Sequence, residues 1–336
     1  MPWSIADPRP WGKNPVKPRA LRCARCAGIQ QGIPRMCGVS AHPAPRARFI
    51  AVESDPMPTR PSQDPSASVA SRQPQRVRLP LRFRRLQVLF SQQPTPAFIR
   101  IVLGGEELAG FNSPGFDDHA KLFLPDPETG QLRLPTLSGA GPVWPDGHKP
   151  IARDYTPRHH DRQAATLTID FVIHEAGPAT DWARSARPGD WLGVGGPRGS
   201  MLIPTDYDWH LLVGDETALP AIARRLEELP ADAHAIVVAE VDRPGDALPL
   251  SSPARLDLHW CHREGAPPAS RQRLLAAVRN LELPAGDGFV WVACESGQAR
   301  QLRQHLTGER GLNPRQVKAA AYWRLGAEAV HETIGE

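Results

Sequence analysis

No stretch of this chain reaches about eighteen consecutive apolar residues, so a membrane-spanning helix is not expected. Nor does the N-terminus carry the continuous apolar core of a secretory signal, and a cytoplasmic protein with no stable membrane insertion is the expectation. Cysteine is scarce and odd in number, at five in 336 residues, which argues against a disulfide framework. Cys23 and Cys26 have C-x-x-C spacing and Cys37 lies nearby. No strand–helix unit surrounds that pair, however, and no second pair completes four zinc ligands, so no role is assigned to them. A Ser/His/Asp constellation is also missing, which leaves the chain without a recognisable nucleophilic or hydrolytic centre. Positive charge is confined to one end. Residues 1–90 carry sixteen Lys/Arg against four Asp/Glu, so with +4 overall the remainder carries −8. An acidic body without a basic, aromatic-interleaved stripe argues against a nucleic-acid partner.

Residues 1–75 hold thirteen of the 37 prolines and few periodic apolar positions. Such a head buries too little apolar surface to offset its ordering entropy and is expected to be disordered. Two further readings stay open: Met57 as the real start, or a basic tail that touches a membrane surface or a partner. From Arg76 the texture changes. The β-forming runs 82–90, 97–103, 121–124 and 165–173, separated by Gly/Pro/Asp clusters, predict an antiparallel barrel over 76–205. Over 206–330 strands at 210–213, 235–239, 256–260 and 288–293 alternate with helical patterns at 220–229, 271–280 and 299–306. That rhythm predicts a parallel α/β sheet with a ligand crevice at its carboxyl edge, leaving 331–336 as a tail.

The segment Arg153-Asp154-Tyr155-Thr156-Pro157-Arg158 sets two guanidinium groups around an aromatic face and a hydroxyl. Arginine's planar fork suits a pyrophosphate, tyrosine can stack on a flat ring, and threonine can bond a ring edge or a ribityl hydroxyl. A strand edge with solvated arginines is the competing reading. Gly214-Asp215-Glu216-Thr217-Ala218 lies between a strand and a helix, where a nucleotide phosphate binds, yet it lacks the G-x-G-x-x-G fingerprint. Two carboxylates there are unfavourable to a phosphate unless they point elsewhere. Cys294-Glu295-Ser296-Gly297 holds the equivalent place after another strand, with Cys294 expected as a small buried residue. Gly195-Gly196-Pro197-Arg198-Gly199-Ser200 reads as a turn-rich end to the barrel.

Arg153-x-Tyr155-Thr156-x-Arg158 resembles the flavin-binding motif of the siderophore-interacting protein family, ferric-siderophore reductases related to ferredoxin–NADP reductases. Three more blocks resemble the family in order: Gly110 to Phe123 its barrel signature, Asp170-Phe171-Val172-Ile173-His174 through Ala183 its second FAD segment, and Tyr322-Trp323-Arg324-Leu325-Gly326 its C-terminal end. The resemblance covers residues 78–330. It implies an FAD-binding antiparallel β-barrel followed by a nucleotide-binding α/β domain, with FAD as cofactor and NADPH or NADH as donor. It further implies that Tyr155 stacks on the isoalloxazine, Arg153 pairs with FAD phosphate and Thr156 bonds the flavin, with Arg158, Asp170 and Val172 in the same motifs. His174 would lie near the adenosine half, and Gly177, Ala179 and Thr180 would meet the pyrophosphate at a helix start. Gly214, Asp215, Glu216, Thr217, Glu295 and Trp323 would line the nucleotide side, where Arg243, His262 and Arg263 are candidates for a 2′-phosphate. His119 and Lys121, with Arg158, would attract an anionic ferric siderophore. The implied activity is reduction of chelated Fe(III) by a monomeric enzyme that needs no protein nucleophile and no iron ligands of its own. A general flavin reductase acting on quinones or another electron carrier, and a non-catalytic siderophore-binding protein, are the alternatives.

Overall fold

A computed structural model describes residues 72–139, 141–144, 147–173, 177–327 and 332–335, all within one unit, Ser62–Glu336. Cys23, Cys26, Cys37, Met57 and His174 lie outside the described residues.

The first half is built from β1 (Gln75–Arg78), β2 (Phe83–Thr95), β3 (Phe98–Gly104), β4 (Ala120–Phe123), a hairpin of β5 (Thr136–Ser138) and β6 (Gly141–Val143), β7 (Ala152–Tyr155), β8 (Pro157–Asp161), β9 (Thr166–Val172), helix α1 (Pro178–Ser185), β10 (Trp191–Gly195) and β11 (Gly199–Leu202). Side chains alternate across a strand, so Leu86 and Val88 on β2 and Leu167, Ile169 and Phe171 on β9 point to one buried face. Seven strands pair antiparallel in the order β7-β4-β10-β2-β3-β9-β8. The end strands β7 and β8 are not bonded to each other, so the expected barrel is an open half-barrel. Of the stretch 195–200 that reads as turn-rich, 196–198 connects two strands, while Gly195 closes Trp191–Gly195 and Gly199-Ser200 opens Gly199–Leu202. The described chain begins upstream of Arg76: the Arg72 guanidinium sits among Asp206, Asp208 and Asp287 at 3.3–3.6 Å, and β1 pairs with β11.

The second half comprises β12 (Trp209–Gly214), α2 (Leu219–Glu228), β13 (His234–Val241), β14 (Arg255–His262), α3 (Arg273–Arg279), β15 (Gly288–Glu295), α4 (Ser296–Gln304), β16 (Val317–Trp323) and β17 (Glu332–Ile334). Its sheet order is β14-β13-β12-β15-β16-β17, parallel except for the antiparallel edge strand β17, which the sequence did not reveal. Both faces are covered. Leu211 and Val213 pack with Leu274, Val278 and Leu302, whereas Leu212 packs with Ile222 and Leu226 on the other side. This double burial explains why the strand reads as an uninterrupted apolar run. The order reverses at β12, between β13 and β15, which places a crevice at the ends of β12 and β15. The core on the α2 side also takes in Phe98, Phe116 and Val172 from the half-barrel. Among the described residues no helix is long and apolar enough to cross a membrane.

Candidate functional site

Among the described residues strand β7 is an edge, paired with β4 alone through Leu122↔Arg153, Lys121↔Asp154 and Ala120↔Tyr155. Its outer backbone edge is therefore left for another partner. The Tyr155 ring packs at 4.5 Å on Phe171, which in turn meets Trp182 of α1 at 5.7 Å. Burial pushes the Tyr155 phenol upward, so it stays protonated. Arg153 is half-buried, with Nη1 donating to the Ala152 carbonyl at 3.0 Å. At the corner between the two edges, Thr156 is buried and hydrogen-bonds the Tyr322 hydroxyl. Arg158 turns away from this group: its Nη1 donates to Glu227 at 2.9 Å, and Nε lies 3.9 Å from Asp170. Asp170 itself is fully buried and grips Arg100 through two bonds of 2.6 and 2.7 Å. Arg158 and Asp170 are thus occupied by protein partners.

Helix α1 begins at Gly177 with proline in its first turn, and its first amides lack intrahelical acceptors by construction. A Cβ built on Gly177 would meet no described residue within 4 Å, so the backbone there is open on the side of the described chain. Ala179 and Thr180 are buried behind it, and the Thr180 hydroxyl donates to the Val172 carbonyl at 3.4 Å. That bond ties the helix start to the end of β9.

The second half-site resolves the two unfavourable carboxylates. Asp215 caps its own turn, accepting from the Thr217 amide at 3.0 Å, and it receives the Trp323 indole N–H at 2.7 Å. Burial, and then Glu216, push its pKa up to about 6. Glu216 turns the other way, into Arg263, whose Nη1 donates to it at 2.8 Å and also lies 3.5 Å from Glu240. Arg263 is therefore closed between two carboxylates, whereas Arg243 stays exposed with Asp242 at 3.4 Å. Glu295 caps α4, accepting from the Gly297 and Gln298 amides at 2.6 and 3.1 Å. Its carboxylate fills the helix end that a phosphate would need. Gly214 is tight for internal reasons, since a Cβ there would lie 2.3 Å from Ala218 Cβ and 2.7 Å from the Ala293 carbonyl. Cys294 is fully buried, and burial drives its thiol well up, which keeps it from acting as a thiolate.

The two half-sites meet at adjacent residues of one strand: Tyr322 reaches Thr156 of the half-barrel, and Trp323 reaches Asp215 of the sheet. Beside this junction is an open recess of about 260 Å³ whose wall includes Arg76, His119, Arg198 and Lys318. Lys121 lies two residues beyond His119 and is held by Asp154 at 2.7 Å. The sequence reading missed Lys318 and its ion pair with Asp117 at 2.6 Å, because no local pattern links residues so far apart. Among the described residues no cluster of His, Cys, Asp and Glu could hold a metal ion.

Two family models match the chain: the siderophore-interacting FAD-binding domain over residues 87–201, and the siderophore-interacting protein model over 207–326. The chain is 42% identical over 255 residues to the NADPH-dependent ferric-chelate reductase of Escherichia coli, covering 75% of this chain and 97% of that protein. It is 36% identical to the ferric vibriobactin reductase ViuB of Vibrio cholerae, over 70% of this chain and 87% of that protein. Among solved structures, a siderophore utilization protein from T. fusca is 41% identical and superimposes with a TM-score of 0.72, covering 76% of this chain and 98% of that one. The siderophore-interacting protein SipS of Aeromonas hydrophila is 33% identical, with a TM-score of 0.61 over 74% of this chain and 93% of that one.

Proposed function

Because the chain belongs to the siderophore-interacting protein family, we propose that it is an NADPH-dependent ferric-siderophore reductase that works through FAD. The observation that carries this reading is the junction at Tyr322 and Trp323, which brings the flavin motif and the nucleotide loop onto neighbouring residues.

The residues present fit FAD. An unpaired strand edge, an aromatic ring at Tyr155, and open backbone at Gly177 in front of a helix start supply a ring platform and a diphosphate cradle. FAD, once bound, supplies the switch from two-electron to one-electron chemistry: one hydride in from NADPH, two single electrons out to two chelated Fe(III) ions. In this proposal Tyr155 supports the flavin ring, Arg153 neutralises phosphate charge, and the Gly177, Ala179 and Thr180 backbone meets the diphosphate. His174 is assigned to the adenosine side. Thr156 and Tyr322 hold the corner between the two cofactors, and Asp215 steadies the Trp323 indole against the nucleotide side. Arg158 and Asp170 act from behind, as the ion-pair lattice that fixes the motif. Gly214, Thr217 and Glu295 shape the crevice without offering their carboxylates or Cβ space to phosphate, and Arg243 is the assigned contact for the 2′-phosphate of NADPH.

The acceptor is assigned to the recess edged by His119, Arg198 and Lys318, with Lys121 beyond it. Arg76, Arg198 and Lys318 outnumber Asp117 and Asp118 in the lining, a small positive excess that favours an anionic chelate, and a whole siderophore would rest over the opening rather than sink into it. Iron arrives inside its chelator and leaves as the weakly chelated Fe(II), so the protein need supply no iron ligand. Both half-sites lie in one chain, which suits a monomer, and a need for NADPH would suit a cytoplasmic reaction. The test is to add FAD to the purified chain and follow NADPH-driven Fe(II) release from several ferric siderophores. Failure to take up FAD, or indifference to every ferric chelate, would reject the proposal.

A further inference from the structure

Resting on the reductase reading above, we propose that the loop 113–118 is the keystone that fixes the nucleotide-binding sheet against the flavin-binding half-barrel, and so controls hydride delivery without taking part in flavin binding. The loop rises from the half-barrel just before β4. Asp118 braces the loop on itself, accepting from the Ser113 hydroxyl at 3.0 Å and the Gly115 amide at 3.1 Å, and packing at Gly115 holds it to that half. Gly115 is pressed onto β11 so closely that a Cβ would lie 2.7 Å from Ser200 Oγ and 2.8 Å from the Met201 carbonyl.

The loop's other side belongs to the α/β half. Arg224 of α2 donates to the Ser113 hydroxyl at 3.0 Å, to the Ser113 carbonyl, and to the Pro157 carbonyl at 3.1 Å. Its neighbour Arg225 lies 5.1 Å over the Phe116 ring and donates at 3.1 Å to the Ile203 carbonyl, in the link between the halves. Phe116 stands edge-on to Trp291 at 5.4 Å, and the Trp291 indole N–H donates to Asp117 at 3.0 Å. Lys318 of β16 closes on the same carboxylate oxygen. Phe116 is 1% exposed and Trp291 0%, within one core shared by both halves.

A hinge at this joint would open an apolar core and strip the buried Asp117 carboxylate of its partners. Joints of this kind hold domains rigid, whereas small polar ones let them move. Relative placement of the two cofactors is therefore set before substrates arrive, and a misplacement of about 1 Å can slow a transfer about a hundredfold.

The test uses FAD-loaded Arg224→Gln and Phe116→Leu variants, neither of which removes a residue assigned above to a cofactor or to the acceptor. NADPH-driven bleaching of the flavin absorbance should slow about ten- to a hundredfold. Dithionite-reduced protein should still pass electrons to ferric chelates at the wild-type rate, with FAD retained. In the FAD-free chain, amide hydrogen exchange at residues 113–118 should rise in both variants. Unchanged bleaching, parallel loss of both half-reactions, or unaltered exchange would overturn the keystone role. A wild-type chain that binds FAD but is not bleached by NADPH would instead overturn the reductase reading, and the hydride role with it.

Discussion

Replacing Asp215 with asparagine isolates the electrostatic cost stored at the junction. The side chain is 4% exposed and lies beside Glu216, with donors from Thr217 and Trp323 that only partly offset its burial. Its folded pKa of about 6 stands above the ordinary value of 3.8. A carboxyl whose pKa is raised on folding binds its proton more tightly in the folded state, so stability falls as pH rises between the two values. The penalty is absent below about 3.8 and complete above about 6, and a shift of about two units corresponds to about 3 kcal/mol at neutral pH. Asparagine keeps an oxygen for the Trp323 indole but does not titrate. Urea unfolding of wild type and Asp215→Asn at matched FAD, from roughly pH 4 to pH 7, should show the variant gaining about 3 kcal/mol on the wild type as pH rises. Stability curves that stay parallel across that range would refute the reasoning.

Three other perturbations follow from single contacts. Gly214→Ala would push a Cβ against Ala218 and the Ala293 carbonyl, and the loss should reach about 2–3 kcal/mol in urea unfolding; a neutral result would mean that the crossing from β12 can open. Tyr155→Ala removes the ring platform, and FAD titration should show about thirtyfold weaker binding with an altered flavin spectrum. Wild-type affinity and spectrum would dismiss the stacking assignment. Arg243→Ala should raise KM for NADPH about three- to tenfold and leave KM for NADH alone. Equal changes for both donors would remove Arg243 from the 2′-phosphate site.

The elements that were legible in the sequence are those whose burial leaves a local pattern. The run Leu211-Leu212-Val213 reads as a buried strand because helices cover both faces, and 166–172 reads as a strand because alternate residues enter one core. Strands β10 and β11, which flank the turn at 196–198, left little strand signal because Gly193, Gly195 and Gly199 interrupt them. Those glycines serve close packing: a Cβ at Gly193 would lie 2.4 Å from Leu134, and one at Gly195 would lie 2.9 Å from Phe123. Gly214 is likewise tightly packed, against Ala218 and the Ala293 carbonyl. The orientations of Asp215 and Glu216 depend on Trp323 and Arg263, and the joint at Asp117 depends on Trp291 and Lys318. Partners that distant in sequence leave no spacing to read, and even in the contiguous segment Arg153 to Arg158 the last arginine turns away to Glu227.

The central claim is that one chain links NADPH oxidation to Fe(III) reduction through FAD. The most direct measurement is an anaerobic stopped-flow experiment on the FAD-loaded protein: NADPH is mixed first, a ferric siderophore second, with Fe(II) trapped by a coloured chelator. The account predicts bleaching of the flavin absorbance by NADPH, its recovery on adding the siderophore, and two Fe(II) formed per NADPH consumed. Bleaching without recovery or Fe(II), against every ferric siderophore tried, would contradict it.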